Sequence, residues 1–176
     1  YEGLSRITQL SPPLDRYLSG LESLDLIRAR TREPDLEYIF KHALTQEVVY
    51  NGLLKKERHT IHERIGGVME QLFTDRLPEF YDALAYHFKR GFSQNKAAGY
   101  LIKAGEKSYK TLSNQEAKQY FHEAYDLLSA KAEKDPKDKA LMMELLFKWA
   151  LLLYDFGDIN KLLELFSSHE EMAESM

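Results

Sequence analysis

Cysteine is absent from the chain. That excludes disulfides and thiolate metal sites, and it suits a reducing, cytoplasmic setting. No run of eighteen apolar residues occurs, so no membrane-spanning helix is expected. The opening Tyr1-Glu-Gly-Leu-Ser-Arg6 is not built like a secretory signal and carries no initiator Met. The expectation is an excised part of a longer protein. Neither sign of charge dominates. Residues 1–64 hold ten Lys/Arg and ten Asp/Glu, and residues 65–176 hold fourteen against eighteen. The net charge of −4 gives no general attraction to phosphate backbones, so neither nucleic acid nor membrane is an expected partner.

What is present suffices for a packed core. Hydrophobic residues make up 44% of the 176 residues and charged residues 30%, which suits one domain or two small ones. Strand character is confined to residues 26–42. Before it, Pro13, Leu14, Tyr17, Leu18, Leu21 and Leu24 recur at helical spacing, with proline in the favoured first turn. Leu26 to Arg32 alternates, with Arg28, Arg30 and Arg32 on one side and Ile27, Ala29 and Thr31 on the other. Arg32-Glu-Pro-Asp35 reads as a turn, because Pro34 cannot donate to a ladder. Leu36 to Lys41 alternates again. A helix followed by such a hairpin could end a winged-helix domain.

From His42 onward the periodicity is helical. Leu44 to Leu54 forms a first helix and Ile61 to Leu72 a second, weakened by Gly66 and Gly67 at about 1 kcal/mol each. Pro78 opens a third that Gly91 stops near Arg90. Asn95 to Leu112 and Ser113 or Asn114 to Ala132 follow. Lys131 to Lys139 reads as a polar connection around Pro136. Leu141 to Phe156 and Ile159 to Ser167 close the series, separated by Gly157, and Glu170 to Met176 is expected to fray.

These helices carry a degenerate repeat. Gly105 is followed by Ala117, Phe121 and Ala124 at the spacing of a tetratricopeptide unit, in which small residues sit where two helices cross and an aromatic fills the gap. Ser108 stands where that unit usually has Tyr. A poorer copy runs through Trp149, Ala150, Leu153, Gly157, Leu162 and Phe166. A third, Leu84 to Ala104, overlaps the first. The spacing predicts a buried Phe121, with Gly105 and Ala117 at a close crossing. Phe147, Trp149, Phe156 and Phe166 are expected to fill the last helical pair.

The segment Tyr38-Ile-Phe-Lys-His-Ala-Leu-Thr-Gln-Glu-Val-Val-Tyr-Asn-Gly-Leu-Leu54 resembles the junction after the ATPase core in bacterial signal-transduction ATPases with numerous domains, notably those fused to class III adenylate/guanylate cyclases. In that family a winged helix ends in Phe-(Arg/Lys)-His-Ala-Leu-x-Gln-Glu, and tetratricopeptide-like helices follow. The likeness continues through Lys55, Lys56, Arg58 and His59 to Lys103-Ala-Gly105 and Asn114-Gln-Glu-Ala117, covering roughly residues 10–130. It implies a mainly α chain. The C-terminal part of a winged helix, with its two-stranded wing, would occupy residues 1–42 and an antiparallel helical array residues 43–176. It also implies a non-catalytic regulatory and interaction region of a nucleotide-dependent parent linked to a cyclase. The chain holds no Gly-x4-Gly-Lys-Ser/Thr phosphate loop, so ATP or ADP would belong to the parent and no cofactor to this chain. A DNA-binding fragment of an ATPase-type transcriptional regulator is the alternative.

Single residues follow from these patterns. In related ATPases a Met-His-Asp motif at the place of His42 contacts the ADP β-phosphate. Here Lys41 and Ala43 replace the flanking pair, so His42 is either such a phosphate contact in the parent or a packed corner residue. His59 and His62 share a helical face but lack a third ligand, and an exposed face is the expected reading. Lys96, Lys103, Lys107 and Lys110 share one face of a helix, with Tyr100 among them. They could clamp an acidic peptide, or they could be a solvated face. No Ser-His-Asp, Cys-His or paired-carboxylate constellation can be assigned, so no catalytic residues and no metal ligands are expected.

Overall fold

A computed structural model describes residues 2–8, 14–32, 35–131 and 135–167. It is mainly helical and contains one two-stranded antiparallel sheet. The chain divides into two compact units, Tyr1–Thr74 and Asp75–Met176.

The first unit holds α1 (Glu2–Thr8), α2 (Leu14–Ser23), β1 (Ile27–Arg32), β2 (Asp35–Phe40), α3 (Ala43–Gly52) and α4 (Lys55–Leu72). Leu14 and Leu18 are one helical turn apart on α2, and with Ile27 they form a small buried cluster covered by Leu26 and Tyr38. The hairpin register pairs Ile27 with Phe40, Arg28 with Ile39, Ala29 with Tyr38 and Arg30 with Glu37. Directly opposed residues share a sheet face, so Ile27 and Tyr38 face the cluster while Arg28 and Arg30 stand on the other side. Asp25, in the left-handed region with φ 59°, turns the chain from α2 into β1. Lys41 bonds the Asp25 carboxylate and returns its amide to the Leu26 carbonyl at 3.0 Å, which closes the base of the hairpin. The expected turn at residues 33–34 lies outside the described residues, as does Pro13.

α4 belongs with this unit because it packs on α1, so the compact units do not coincide with a division at residue 42. The interior glycines of α4 do not break it. α3 contains no buried residue, although Leu44, Val48 and Val49 lie along it.

In the second unit, α5 (Tyr81–Arg90), α6 (Gln94–Lys110), α7 (Asn114–Ser129), α8 (Pro136–Asp155) and α9 (Ile159–Ser167) pack in sequence. α6 contacts α5, α7 and α8, α7 also contacts α8, and α9 lies on α8. Leu84, Phe88, Ile102, Phe121, Leu128, Met142, Leu145, Leu152 and Leu153 are fully buried. Gly91 ends α5 as expected, and Gly157 ends the α8 turn at φ +66°. Ser113 occupies the N-cap of α7 without a side-chain capping bond.

The polar connection expected around Pro136 is shorter than the sequence suggested, because Pro136 opens α8. Asp135 caps that helix by accepting the Asp138 amide at 2.8 Å, and Asp138 accepts the Asp135 amide at 3.2 Å. Proline at the first helical position loses no bond, so this reciprocal cap starts the helix five residues before Leu141. The Glu170–Met176 tail lies outside the described residues.

Candidate functional site

The Gly105 crossing organises the second unit. Ala117, Phe121 and Ala124 are fully buried, and Gly105 is buried with them. A Cβ placed on Gly105 would sit 2.5 and 2.7 Å from carbons of the Phe121 ring. The ring therefore packs directly on the α6 backbone, an approach open only to glycine. Ser108 is buried one turn on and donates to Glu116 at 3.4 Å.

The lysine-bearing face of α6 packs more than the sequence suggested. Tyr100 is buried, with Phe88 at 5.8 Å and nearly parallel and Tyr81 at 5.9 Å. Lys96 lies 4.7 Å above the Phe88 ring, and Lys103 lies 5.2 Å from the Tyr100 ring centre. Lys107 donates to the Pro78 carbonyl at 2.8 Å, and Lys110 pairs with Glu106 at 2.7 Å. The four lysines do share a face, but each leans on an aromatic or polar neighbour, and Tyr100 sits beneath that face.

A groove that the sequence did not single out lies beside it. Glu106, Tyr109 and Lys110 of α6 and Phe147, Lys148 and Leu151 of α8 enclose about 230 Å³, with Phe121 behind them. Lys110 and then Lys148 hydrogen-bond the Glu106 carboxyl and hold its pKa below the usual carboxylate range. Tyr109 donates to Asp155, and that bond pushes its phenol pKa up. Phe147 is 66% exposed on the rim. Phe156 and Phe166 are exposed too, so of the four aromatics expected to fill the last pair only Trp149 does so. Phe147 and Leu151 lie on a stripe offset from Leu145, Trp149 and Leu152, but α8 is apolar nearly all round and its pattern does not say which stripe is free.

His42 caps the junction between β2 and α3. Its backbone is extended (φ −128°, ψ 127°), and its carbonyl accepts the Thr45 and Gln46 amides at 3.1 and 3.3 Å. The imidazole is exposed and makes no capping bond, so the packed-corner alternative does not describe it. His62, expected on an open face, is instead buried against Tyr50, whose hydroxyl lies 2.9 Å from its Nε2. The reason is Tyr50 near the end of α3, whose ring meets the imidazole edge-on with centroids 5.8 Å apart. Among the described residues no group of three His, Cys, Asp or Glu could hold a metal ion. No helix is long and apolar enough to cross a membrane, among the same residues.

Set against known proteins, the chain finds distant company. No protein-family model matches it, and no solved structure does. An uncharacterized protein of Rhizobium meliloti (strain 1021) is 30% identical over 122 residues, or 68% of this chain. The chain spans about 12% of that relative's length. The similarity therefore concerns one segment of a much longer protein.

Proposed function

We propose that the chain is a non-catalytic regulatory and protein-interaction region of a larger nucleotide-dependent signalling protein linked to a class III nucleotide cyclase. On this reading α2 with the hairpin is the end of a winged helix, and the helices after it form a tetratricopeptide-like array. The observation that carries the reading is the Gly105–Phe121 crossing, with α8 stacked against both α6 and α7. Helices joined in this way bury their core only between neighbours and leave a side face for partners. The α6–α8 groove, with the lysine-bearing face of α6 alongside, is that surface for a protein or peptide partner. Other domains of the parent are the further partners, and the setting is cytoplasmic. The relative's far greater length agrees with a part that works inside a larger chain.

The parent would hold ATP or ADP, and His42 would report on it. The imidazole is exposed where the hairpin delivers it to α3, free to donate to a β-phosphate. In the full-length parent, His42→Ala should weaken ADP binding by about 0.5–3 kcal/mol, measured by calorimetry. Basal output should rise as the ADP-held arrangement loses population. Unchanged ADP affinity would remove His42 from the switch. The chain alone should neither hydrolyse ATP nor cyclise it, because phosphoryl transfer needs a phosphate cradle and a metal site.

Arg28 and Arg30, exposed on β1, favour a second reading as a DNA-binding winged helix. A gel-shift titration separates the two, since binding through phosphates must weaken steeply with salt.

A further inference from the structure

Helix α4 has two unlike sides. His62 and Gly66 are buried on one. Lys56, Thr60 and Arg64, spaced four apart, run down the other, and with Leu53, Glu57 and Ile61 they line an open cleft of about 360 Å³; one turn past Arg64 that side closes at the buried Val68. The cleft has an apolar middle, where Ile61 is 38% exposed. It is cationic at both ends, with Lys56 and Arg64 about 12 Å apart along the helix at 1.5 Å per residue. Its one acid, Glu57, accepts the Leu54 amide at 2.9 Å and keeps its charge, so the lining carries one net positive charge with a cation at each end. Arg64 donates to the Ile7 carbonyl at 2.7 Å and keeps further guanidinium donors. Lys55 is exposed in the same first turn, and Leu54 beside it is 70% exposed.

We infer that this side of α4 docks an acidic amphipathic helix, with an apolar anchor over Ile61 and carboxylates seven or eight residues apart to meet Lys56 and Arg64. Charge complementarity fixes the sign of the partner, because a basic helix would set like charges against both ends of the cleft. The straight i, i+4, i+8 edge fixes its form, since a partner helix presents anchors at i, i+3, i+4 and i+7. A membrane surface fits less well, because Glu57 interrupts the cationic stripe. The inference stands apart from the groove between α6 and α8 and does not depend on it.

The test is fluorescence anisotropy with the full chain and a labelled peptide of about 20 residues, long enough to form a helix. The peptide carries leucines at i, i+3, i+4 and i+7, glutamates flanking them, and alanine elsewhere. Saturable binding is expected, weakened by salt and weakened at least about tenfold when the glutamates become lysines. Lys56→Glu should also cost about tenfold, and Ile61→Asp should abolish binding while circular dichroism confirms that both variants remain helical. Lys137→Glu on α8 should leave the affinity unchanged. Should Ile61→Asp unfold the chain, Lys56→Glu decides alone, since the Lys56 side chain is exposed. Equal binding of the acidic and basic peptides, an unaffected Lys56→Glu variant, or no saturable binding would overturn the inference. So would co-sedimentation of the chain with phosphatidylserine vesicles when the peptide does not bind.

Discussion

Gly67 and Gly105 both lie inside a long helix, α4 in one unit and α6 in the other, yet their surroundings differ. A Cβ on Gly67 would meet nothing within 4 Å, whereas one on Gly105 would strike the Phe121 ring. The contrast extends to the units around them. Among the described residues, Leu14, Leu18, Ile27 and Val68 are the buried apolar side chains before Thr74, while the second unit buries whole faces of α5 to α8. Leu44, Leu54 and Val48 of the first unit stay mostly exposed. Both units expose apolar side chains, Phe147 and Leu163 in the second among them, so the difference between them lies in the core, sparse in one and dense in the other.

The largest effect should come from emptying the dense core. Phe121→Ala removes a fully buried ring from between α6 and α7, where both backbones are already close and the gap cannot collapse. The expected cost is about 3–5 kcal/mol, read from urea unfolding. A cost under about 1 kcal/mol would mean that the crossing is not closely packed.

Adding volume at the same place should hurt less. Gly105→Ala forces the new methyl against a ring with nowhere to turn, for about 1–3 kcal/mol. In the double variant Gly105→Ala/Phe121→Ala the two effects should fall short of additivity, because the missing ring makes room for the methyl. Simple addition would show that the two residues do not meet.

A third effect depends on pH and concerns the cap of α8. Burial works against the Asp138 carboxylate, but bonds from Lys131, the Asp135 amide and Asn95 outweigh it, and its pKa is lowered. A carboxyl whose folded pKa lies below its unfolded value stabilises fully above that unfolded value, about 3.9, and loses the contribution as pH falls through the folded one. The native chain should therefore lose stability below about pH 4 through this residue. Asp138→Asn should cost about 1–2 kcal/mol at neutral pH and show a weaker decline in acid. Parallel acid curves for the two proteins would dismiss the role of Asp138.

Legibility in the sequence followed the same divide. The hairpin could be read because alternation and Pro34 are local signals, and Gly91 and Gly157 because they end helices. The Gly105–Phe121 crossing could be read because small residues at fixed spacing leave no other packing. Pro136 was misplaced because a run of lysines and aspartates looks like a solvated connection, and only the Asp135–Asp138 cap turns it into a helix start. His62 was misjudged because its burial depends on Tyr50, twelve positions away on another helix. The free side of α8 was not legible at all, because Phe147 and Trp149 are equally apolar and only tertiary packing separates them. The lysine-bearing face of α6 could be read from spacing, but the two grooves could not, since a groove depends on how side chains pack and not on the period of one helix.

The smallest effect should have the opposite sign and fall in the sparse unit. Gly67 lies inside α4 with helical neighbours on both sides, and open space surrounds the position of a Cβ. Glycine in a helix interior loses more chain entropy on folding than alanine does and contributes no side chain to the helix surface. Gly67→Ala should therefore stabilise by about 0.5–1 kcal/mol, mostly by restricting the unfolded chain. Because the chain has two compact units, a single melting curve can mask a change confined to one of them. Hydrogen exchange at the α4 amides reads the effect locally, and protection there should rise while α6 and α7 stay as they are. Slower exchange in α4 together with an unchanged α6 would show that the glycine of the sparse unit is spare, whereas that of the dense unit is required. Faster exchange in α4 would mean that Gly67 faces a close neighbour after all, and that the two glycines are alike.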